Sequence, residues 1–316
     1  MSGRSPQAPL RVGIVGCGRI VERGYLPALR EARGVALAAL ADPDLDRARR
    51  LAALGGAAVH ESAAGMIAGG GVDAVVVATP VERHLEVATE AASAGLPSLV
   101  EKPPAADLGE ALALAALEPA PSLAFNRRFV QGRELRPLVP AAGWLELELE
   151  LRFRRVGWGA HVSRDDALLD AGTHLIDLAV FLAGSEPIAV RDAAVAPERA
   201  SLELELGRGR ARLRCATDRP YAERVEIRDR AGRLLGASRA DRLRARARRL
   251  RGGEDPLVGS LQDQVERFAA RLRGEQAEEL AGPLAGVATM AVVEAARRSA
   301  ALNGAEVTVA VPEGVA

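Results

Sequence analysis

The sequence predicts an α/β protein with an N-terminal Rossmann domain, a doubly wound parallel sheet, followed by an α+β domain with a mainly antiparallel open sheet. Three observations predict this fold. Apolar strand-like runs alternate with helical segments through residues 1–128, a glycine-rich turn follows the first run, and strictly alternating segments occur within 129–316. A chain of 316 residues is long enough for two domains, each with its own core.

The composition argues against several classes of partner. The formal net charge is +0 and 48% of the residues are hydrophobic, so we expect neither nucleic acid nor a membrane as a partner. No apolar run reaches the length of a membrane span, and the N-terminal residues lack the apolar core of a signal peptide. Cys17 and Cys215 fall in different predicted domains, which disfavours a disulfide and predicts a cytoplasmic location.

The first element is a strand, Leu10 to Val15, that leads into the turn Gly16-Cys17-Gly18-Arg19-Ile20-Val21 and a helix to about Arg33. Gly16 would allow the tight turn, and Gly18 would let the backbone approach a pyrophosphate at the helix N-terminus. We therefore count Gly16, Gly18, Arg19 and Ile20 as candidate cofactor-binding residues.

Asp42 follows the second apolar strand, 24 residues after Gly18. That spacing is near the one expected for the acid that binds a ribose 2′-hydroxyl. Pro43 and Asp44 come next rather than an arginine, so a 2′-phosphate would be repelled and NAD is favoured over NADP. The alternative is that Asp42 caps a helix over 45–54.

Polar residues follow the next strands as well. The buried run from Val72 to Ala78 ends at Thr79 and Pro80, and the strand Ser98–Val100 ends at Glu101 and Lys102. Strand and helix then alternate once more, through a helix over 107–117 and a strand over 121–125. Because ligands bind at the carboxyl ends of such strands, we take these four residues as candidate cofactor contacts.

His84 lies near the start of the predicted helix over 82–94. It is a further candidate cofactor contact, or else a polar residue of the helix's first turn.

Lys102 is the only lysine, since 41 of the 42 basic residues are arginine. A lysine retained in such a composition indicates a site where guanidinium will not serve. Arginine stays charged at every working pH, whereas a lysine can share or give up its proton. The alternative is a stray surface lysine.

The second domain is predicted to begin near residue 129 with a linking helix over 131–139. A long strand over 144–155 alternates strictly, and further strands are predicted at 188–195, 201–206, 211–216 and 224–229. Helices over 256–273 and 282–302 and a strand over 306–311 close the chain. The arginine-rich segment 239–251 is predicted to be a solvated helix face or an ordered insert. No Cys/His spacing suggests a metal site.

Asp170 and His174 are four residues apart at the start of a mostly buried helix that ends at Gly184. This spacing puts both on one helical face, where a carboxylate can orient an imidazole that acts as a general acid or base. The alternative is that Asp170 caps the helix and His174 is a core histidine. Asp177, one turn on, is predicted to anchor the imidazole or nearby backbone.

Together these motifs resemble the glucose–fructose oxidoreductase / inositol dehydrogenase / MocA (Gfo/Idh/MocA) family from residue 10 to about 311. The motifs are G-x-G-x-x-V with the downstream Asp42, Thr79-Pro80, Glu101-Lys102-Pro103, Asn126-x-Arg128-Phe129 and Asp170-x-Gly172-x-His174-x-x-Asp177. The resemblance implies an NAD(P)-binding Rossmann domain, 1–128, and a domain for substrate binding and oligomerisation, 129–316. It also implies hydride transfer on a sugar, cyclitol or derivative, by a homodimer or homotetramer.

The resemblance implies that Lys102, Asp170 and His174 are the catalytic residues. One departure is the run 164–169, where the family often has glycines, which predicts an atypical and more charged substrate pocket. Two other functions stay open. One is an NAD-using glycoside hydrolase, although the segment around His161 lacks the Gly-Gly-His-Gly-Gly element of such relatives, and the other is a non-catalytic dinucleotide-binding regulator.

Overall fold

A computed structural model describes residues 8–53, 55–158, 166–244 and 255–311. The chain divides into two compact units that are interleaved along the sequence. The first comprises Met1–Pro104, Ala113–Asn126 and Pro256–Pro283; the second comprises Ala105–Leu112, Arg127–Asp255 and Leu284–Ala316. The segment from Pro256, which was predicted for the second domain, lies with the first unit. The role assigned to each domain stays a prediction.

The first unit contains a six-stranded sheet in which every neighbouring pair is parallel. The strands are β1 (Leu10–Val15), β2 (Val35–Ala41), β3 (Ala58–His60), β4 (Ala74–Val77), β5 (Ser98–Val100) and β6 (Ser122–Leu123). Their order, β3-β2-β1-β4-β5-β6, is that of the doubly wound dinucleotide-binding fold. The predicted Rossmann sheet is confirmed, and the order reverses between β1 and β4.

Helices connect these strands and continue through the second unit. They are α1 (Leu26–Glu31), α2 (Leu45–Ala52), α3 (Ala63–Gly69), α4 (His84–Ser93), α5 (Leu108–Ala115), α6 (Gln131–Leu135), α7 (Thr173–Ala183), α8 (Pro256–Leu272) and α9 (Pro283–Ala301). A π-helical turn, Val21–Tyr25, precedes α1. The sequence did not predict β3 or α3, because β3 has only three residues and α3 is too rich in alanine and glycine to show a periodic pattern.

Helix α8 packs within the first unit, against the π-helical turn and α1. Its buried face presents Leu261, Val265 and Phe268, each 1% exposed. Gly24 permits the close approach, since a Cβ there would lie 2.5 Å from Leu261 Cδ1. The residues of α8 therefore belong to the core that supports the parallel sheet.

The second unit contains a seven-stranded sheet in the order β12-β11-β7-β10-β9-β8-β13. The strands are β7 (Leu145–Arg154), β8 (Pro187–Ala196), β9 (Arg199–Leu206), β10 (Gly209–Ala216), β11 (Asp218–Asp229), β12 (Leu234–Asp241) and β13 (Val307–Thr308). Every neighbouring pair is antiparallel except β7 with β10, so the predicted mainly antiparallel sheet is confirmed. Strand β12 was not predicted.

The prediction of a solvated helix face for the arginine-rich segment 239–251 is wrong for its first residues. Its first residues, 239–241, complete β12, where Arg239 lies opposite Arg224 of β11. They form a strand rather than a helix because backbone pairing with β11 outweighs the helical preference of an Arg/Ala-rich sequence. Residues 245–251 lie outside the described residues.

One face of the second sheet is apolar and the other is charged. On β7 the leucines at alternate positions are buried beneath α7, whereas the glutamates between them point to the opposite face. We call that opposite face the charged face, formed by Glu146, Glu148, Glu150, Glu203 and Glu226 with Arg210, Arg212, Arg224, Arg228 and Arg239.

Ion pairs link neighbouring strands across the charged face. Arg210 lies 2.8 Å from Glu146, and Arg212 lies 3.1 Å from Glu203. Glu226 receives hydrogen bonds from Arg239 and Arg224, which together hold the pKa of its carboxyl at about 2. Within the described parts of the chain, no helix is both long and apolar enough to cross a membrane.

Candidate active site

The glycine loop fits a bound dinucleotide. Gly16 has φ +94°, and a Cβ at this position would lie 2.5 Å from the carbonyl oxygen of Ala78, so only glycine suits the turn. Gly18 faces open space, which leaves its backbone accessible to a ligand. Its carbonyl oxygen accepts the backbone N–H groups of Val21 and Glu22, which starts the helix there. A pyrophosphate at this turn would meet a helix N-terminus.

Arg19 and Ile20, the two other predicted residues of this loop, form the first helical positions after Gly18. Arg19 is exposed and Ile20 is half-buried. Their contact with a cofactor stays a prediction.

Asp42 is buried at the carboxyl end of β2, and its carboxylate is bonded to the glycine loop. Its Oδ2 accepts the N–H of Cys17 at 2.6 Å, and its Oδ1 accepts the N–H of Asp44 at 2.8 Å. The capping role considered for Asp42 belongs to Asp44, whose Oδ1 accepts the N–H of Arg47 at 3.0 Å. Asp42 is therefore held at the loop where a ribose would lie.

Arg47 is a neighbour of Asp42 that the linear sequence did not indicate. Its guanidinium lies 2.9 Å from Asp44 and 3.8 Å from Asp42. The pKa of Asp44 is lowered, first by the backbone hydrogen bond from Arg47. One guanidinium therefore serves two carboxylates.

His84 connects two loops at the carboxyl ends of β4 and β5. Its ring is 1% exposed, with Nδ1 2.9 Å from the carbonyl oxygen of Pro103 and Nε2 3.0 Å from that of Thr79. Burial is the first cause that lowers the pKa of the imidazole. A neutral ring can donate to only one of the two carbonyls. Both nitrogens of His84, a predicted cofactor contact, thus face backbone; Thr79 is half-buried and Pro80 exposed beside it.

Lys102 lies directly after β5, on the same edge of the sheet, and is half-buried. Its backbone N–H donates to Oε2 of the preceding residue, Glu101, at 3.0 Å. Glu101 is 7% exposed, so its carboxyl is held inside the unit. The first unit therefore gathers the glycine loop, Asp42, His84 and Lys102 at the ends of β1, β2, β4 and β5.

Asp170 and His174 lie on successive turns in the second unit. Asp170 belongs to a π-helical turn, Leu168–Gly172, that runs directly into α7, where His174 is 8% exposed. Such turns are frequent at functional sites. The capping role considered for Asp170 belongs to Asp166, whose Oδ1 accepts the N–H of Leu169 at 2.8 Å.

Arg155 is a residue of this region that sequence reasoning missed. Its Nε donates to Oδ2 of Asp170 at 3.0 Å, and its NH2 group donates to the carbonyl oxygen of Asp166 at 3.3 Å. The sequence showed only an arginine at the end of a predicted strand, 15 residues from its partner. Of the run predicted to border the substrate, 164 and 165 lie outside the described residues, as does His161.

Asp177 anchors Arg128 rather than the imidazole. Arg128 donates from Nε and NH2 to the two carboxylate oxygens at 2.9 and 2.6 Å, and its guanidinium lies 4.7 Å from the ring centre of Phe181. Burial raises the pKa of Asp177, and Arg128 partly offsets this. Removing one partner of such a buried pair costs about 3–5 kcal/mol. The pair fixes α7 and thereby the turn that carries His174.

No metal centre is found in the described ranges: no group of three or more His, Cys, Asp or Glu side chains there could hold an ion.

Comparisons with known proteins agree with this geometry. Residues 10–124 match the Gfo/Idh/MocA model, described as an oxidoreductase family with an NAD-binding Rossmann fold. Inositol 2-dehydrogenase of Leifsonia xyli is 35% identical over 188 residues, which cover 57% of this chain and 55% of that protein. The chain thus spans little more than half the length of the curated relatives it matches.

Solved structures extend the similarity in fold over nearly the whole chain. The apo scyllo-inositol dehydrogenase of Lactobacillus casei has a TM-score of 0.79 at 18% identity, covering 96% of this chain and 99% of that one. An oxidoreductase of Agrobacterium radiobacter, solved with NAD⁺, L-tartaric acid and magnesium, has a TM-score of 0.75 at 20% identity, covering 96% and 99%.

The strand order, the glycine loop and the buried acid after β2 define the class, an NAD-binding Rossmann protein. Within that class, residues 10–124 match the model of the Gfo/Idh/MocA oxidoreductase family. The resemblance stated from the motifs is confirmed by this match, and NAD as the cofactor agrees with its description as an NAD-binding Rossmann fold.

His84 should make stability depend on pH. Burial lowers its pKa from the ordinary value of 6.5, so the folded protein binds fewer protons than the unfolded chain as pH falls below 6.5. Its contribution is complete above pH 6.5 and is lost as pH falls through the lowered pKa, with a slope of at most about 1.4 kcal/mol per pH unit. Between pH 7.5 and 5, urea unfolding of His84→Gln should show a flatter dependence than wild type.

The control is His60→Gln on the edge strand β3, measured over the same range. Equal slopes for wild type and His84→Gln would contradict the assignment.

Proposed function

We propose that the protein is an NAD-dependent oxidoreductase that transfers a hydride between nicotinamide and a hydroxyl or keto carbon of a sugar, cyclitol or sugar derivative. The observation that carries the proposal is the position of Lys102. The only lysine of the chain follows β5 at the sheet edge that also holds the glycine loop and Asp42. The matched family and the inositol 2-dehydrogenase relative support the reaction class.

In the proposed mechanism, the protein handles the proton and the substrate oxygen. His174 takes the proton of the substrate hydroxyl, and Lys102 donates a hydrogen bond to the same oxygen and stabilises the negative charge that develops there. Asp170, held by Arg155, positions the substrate. When bound, the nicotinamide supplies the hydride chemistry. In ketone reduction, His174 returns the proton while Lys102 donates its hydrogen bond to the same oxygen.

The preference for NAD over NADP follows in this proposal from the end of β2. Asp42 is buried and bonded to the backbone of the glycine loop, and Asp44 lies beside it. Arg47 already pairs with both carboxylates, so a 2′-phosphate would meet excess negative charge. A ribose hydroxyl, in contrast, can donate to a carboxylate.

We also propose that the protein is a homodimer or homotetramer that assembles through the charged face. That face carries interleaved glutamates and arginines on five strands that are neighbours in the sheet, in the order β9, β10, β7, β11 and β12. An isologous contact brings a patch against itself, so a patch with both signs can pair with its own copy.

A cytoplasmic location is part of the proposal. Cys17 and Cys215 are both free thiols, which fits a reducing compartment.

Lys102→Arg tests the assigned chemistry. Guanidinium keeps the charge but cannot share its proton, so kcat on a panel of sugars, cyclitols and nucleotide sugars should fall by about 10²–10⁴-fold. The affinity for NADH, measured by fluorescence titration, should stay within about twofold. The reverse exchange Arg83→Lys, on an exposed side chain, is the control.

Equal turnover in Lys102→Arg would contradict the role of the lysine. Release of sugar from an aryl glycoside with no net NADH would favour the hydrolase, and tight NADH binding without any turnover would favour the regulator.

Asp42→Ala tests the cofactor preference. Loss of a hydrogen bond to a charged group should weaken NADH by about tenfold or more while changing NADPH much less. Titrations with each cofactor measure this ratio. Asp46→Ala removes an exposed carboxylate of α2 and serves as the control. An unchanged ratio in Asp42→Ala would mean that the ribose is held elsewhere.

Assembly through the charged face should weaken with salt. Exposed charges interact over a Debye length of about 3 Å at 1 M ionic strength, compared with about 30 Å at 0.01 M. The oligomer seen by analytical ultracentrifugation should therefore dissociate as salt rises. Arg212→Glu should weaken it at low salt, whereas Arg49→Glu on α2 should not. A monomer at every salt and protein concentration would exclude this assembly.

A further inference from the structure

A chain of buried hydrogen bonds runs from α8 to the backbone of Lys102. Gln264 Nε2 donates to Tyr25 Oη at 3.3 Å, Tyr25 Oη donates to Glu101 Oε1 at 2.7 Å, and the N–H of Lys102 donates to Glu101 Oε2 at 3.0 Å. Tyr25 and Gln264 are fully buried, and Glu101 is 7% exposed. Three segments that are far apart in sequence therefore meet at the carboxylate that binds the backbone N–H of Lys102.

The direction of the chain favours a carboxylate at Glu101. The backbone N–H of Lys102 can only donate, so Oε2 accepts. Tyr25 has a single hydroxyl proton, and because its oxygen accepts from Gln264, that proton points to Oε1. Both oxygens of Glu101 are thus acceptors, which suits the ionised form, whereas a protonated form would add an O–H donor between two groups that already donate.

Burial acts against that ionised form. Desolvation is the first cause that raises the pKa of Glu101, whereas the hydrogen bond from Tyr25 and the charge of Lys102 lower it. Desolvation likewise raises the pKa of Tyr25 well above its ordinary value, so the phenol keeps its proton. The other titratable group bonded to this loop is His84, through Pro103; α8 contributes the uncharged amide of Gln264.

We propose that Tyr25 is a positioning residue for Lys102: its hydroxyl, fixed by Gln264, holds the buried Glu101 as a carboxylate that anchors the backbone of the lysine. This inference rests on the function proposed above, since it gives Lys102 its role in the reaction. A neutral Glu101 would hold the Lys102 N–H more weakly and would remove the negative charge beside the lysine. Tyr25 thus acts through Glu101 and need not touch the substrate.

The single lysine makes the inference measurable without any substrate. Labelling with ¹⁵N-lysine gives one backbone amide resonance, that of Lys102, whose N–H is bonded to Glu101 Oε2. This resonance should move with pH as Glu101 is protonated. In Tyr25→Phe the midpoint should rise by about one to two pH units, because a hydrogen bond to a charged group is lost.

The chain offers a matched control. Tyr221 is the second of its two tyrosines, and its hydroxyl donates to the buried Glu223 at 3.0 Å in the second unit. Tyr221→Phe should leave the midpoint of the Lys102 resonance in place. An inflection of the Lys102 resonance that is due to His84 is recognised because it occurs at the same pH in wild type, Tyr25→Phe and Tyr221→Phe. An unmoved midpoint in Tyr25→Phe, or an equal shift in Tyr221→Phe, would overturn the proposal.

A second variant covers the case in which Tyr25→Phe does not fold. In the Tyr221→Phe background, 3-fluorotyrosine can enter only at Tyr25. Its more acidic hydroxyl is a stronger donor, so the midpoint should fall instead of rise. An unchanged midpoint would count against the proposal.

The kinetic readout separates a positioning role from a merely structural one. The acid limb of kcat against pH should move upward in Tyr25→Phe by the amount that the resonance moves, with NADH affinity unchanged. A moved resonance with an unmoved acid limb would reduce Tyr25 to a structural role and overturn the proposal. If Lys102→Arg turns over like wild type, the proposed role of Lys102 in the reaction fails, whereas the resonance still shows whether Tyr25 holds Glu101.

Discussion

Parallel pairing of β1 with both β2 and β4 is the constraint on which the first unit depends. Val12 to Val15 pair with Ala74 to Val77 on one side, and Val15 pairs with Ala41 on the other. Parallel strands bring their carboxyl ends to one edge, so the residues after each strand become neighbours. The glycine loop, Asp42, Thr79 and Lys102 all occupy that edge. Without this pairing they would be unrelated polar residues at the ends of separate apolar runs.

The same edge must accommodate buried charge. Asp42 and Glu101 lie inside the first unit, and each carboxylate accepts hydrogen bonds on both oxygens. Asp177 solves the same problem in the second unit through a bidentate arginine. Buried charges without such partners cost several kcal/mol. The donors that meet these carboxylates are therefore as much a part of the candidate site as the acids, and most come from distant parts of the chain.

Two capping aspartates show how local structure leaves a nearby carboxylate available for other contacts. Asp44 caps α2 and Asp166 caps the turn before α7, which are the roles considered for Asp42 and Asp170. In each case the capping aspartate lies three positions before a backbone N–H in the first turn, and its side chain accepts that N–H. The other carboxylate is then available to the glycine loop or to Arg155. Sequence spacing alone could not choose between the two members of either pair.

Periodicity and spacing sufficed for the fold class and for the positions of the glycine loop, Asp42 and Lys102 at strand ends, because these depend on buried strands and on the residues that follow them directly. Short or weakly patterned elements, β3, α3 and β12, were missed because their pairing depends on neighbouring strands rather than on their own residues. Tertiary structure alone brought Arg155 to Asp170, Arg128 to Asp177, and Tyr25 and Gln264 to Glu101. Contacts between residues 15 to 239 positions apart leave no periodic trace in a single sequence, since only packing sets which side chains meet.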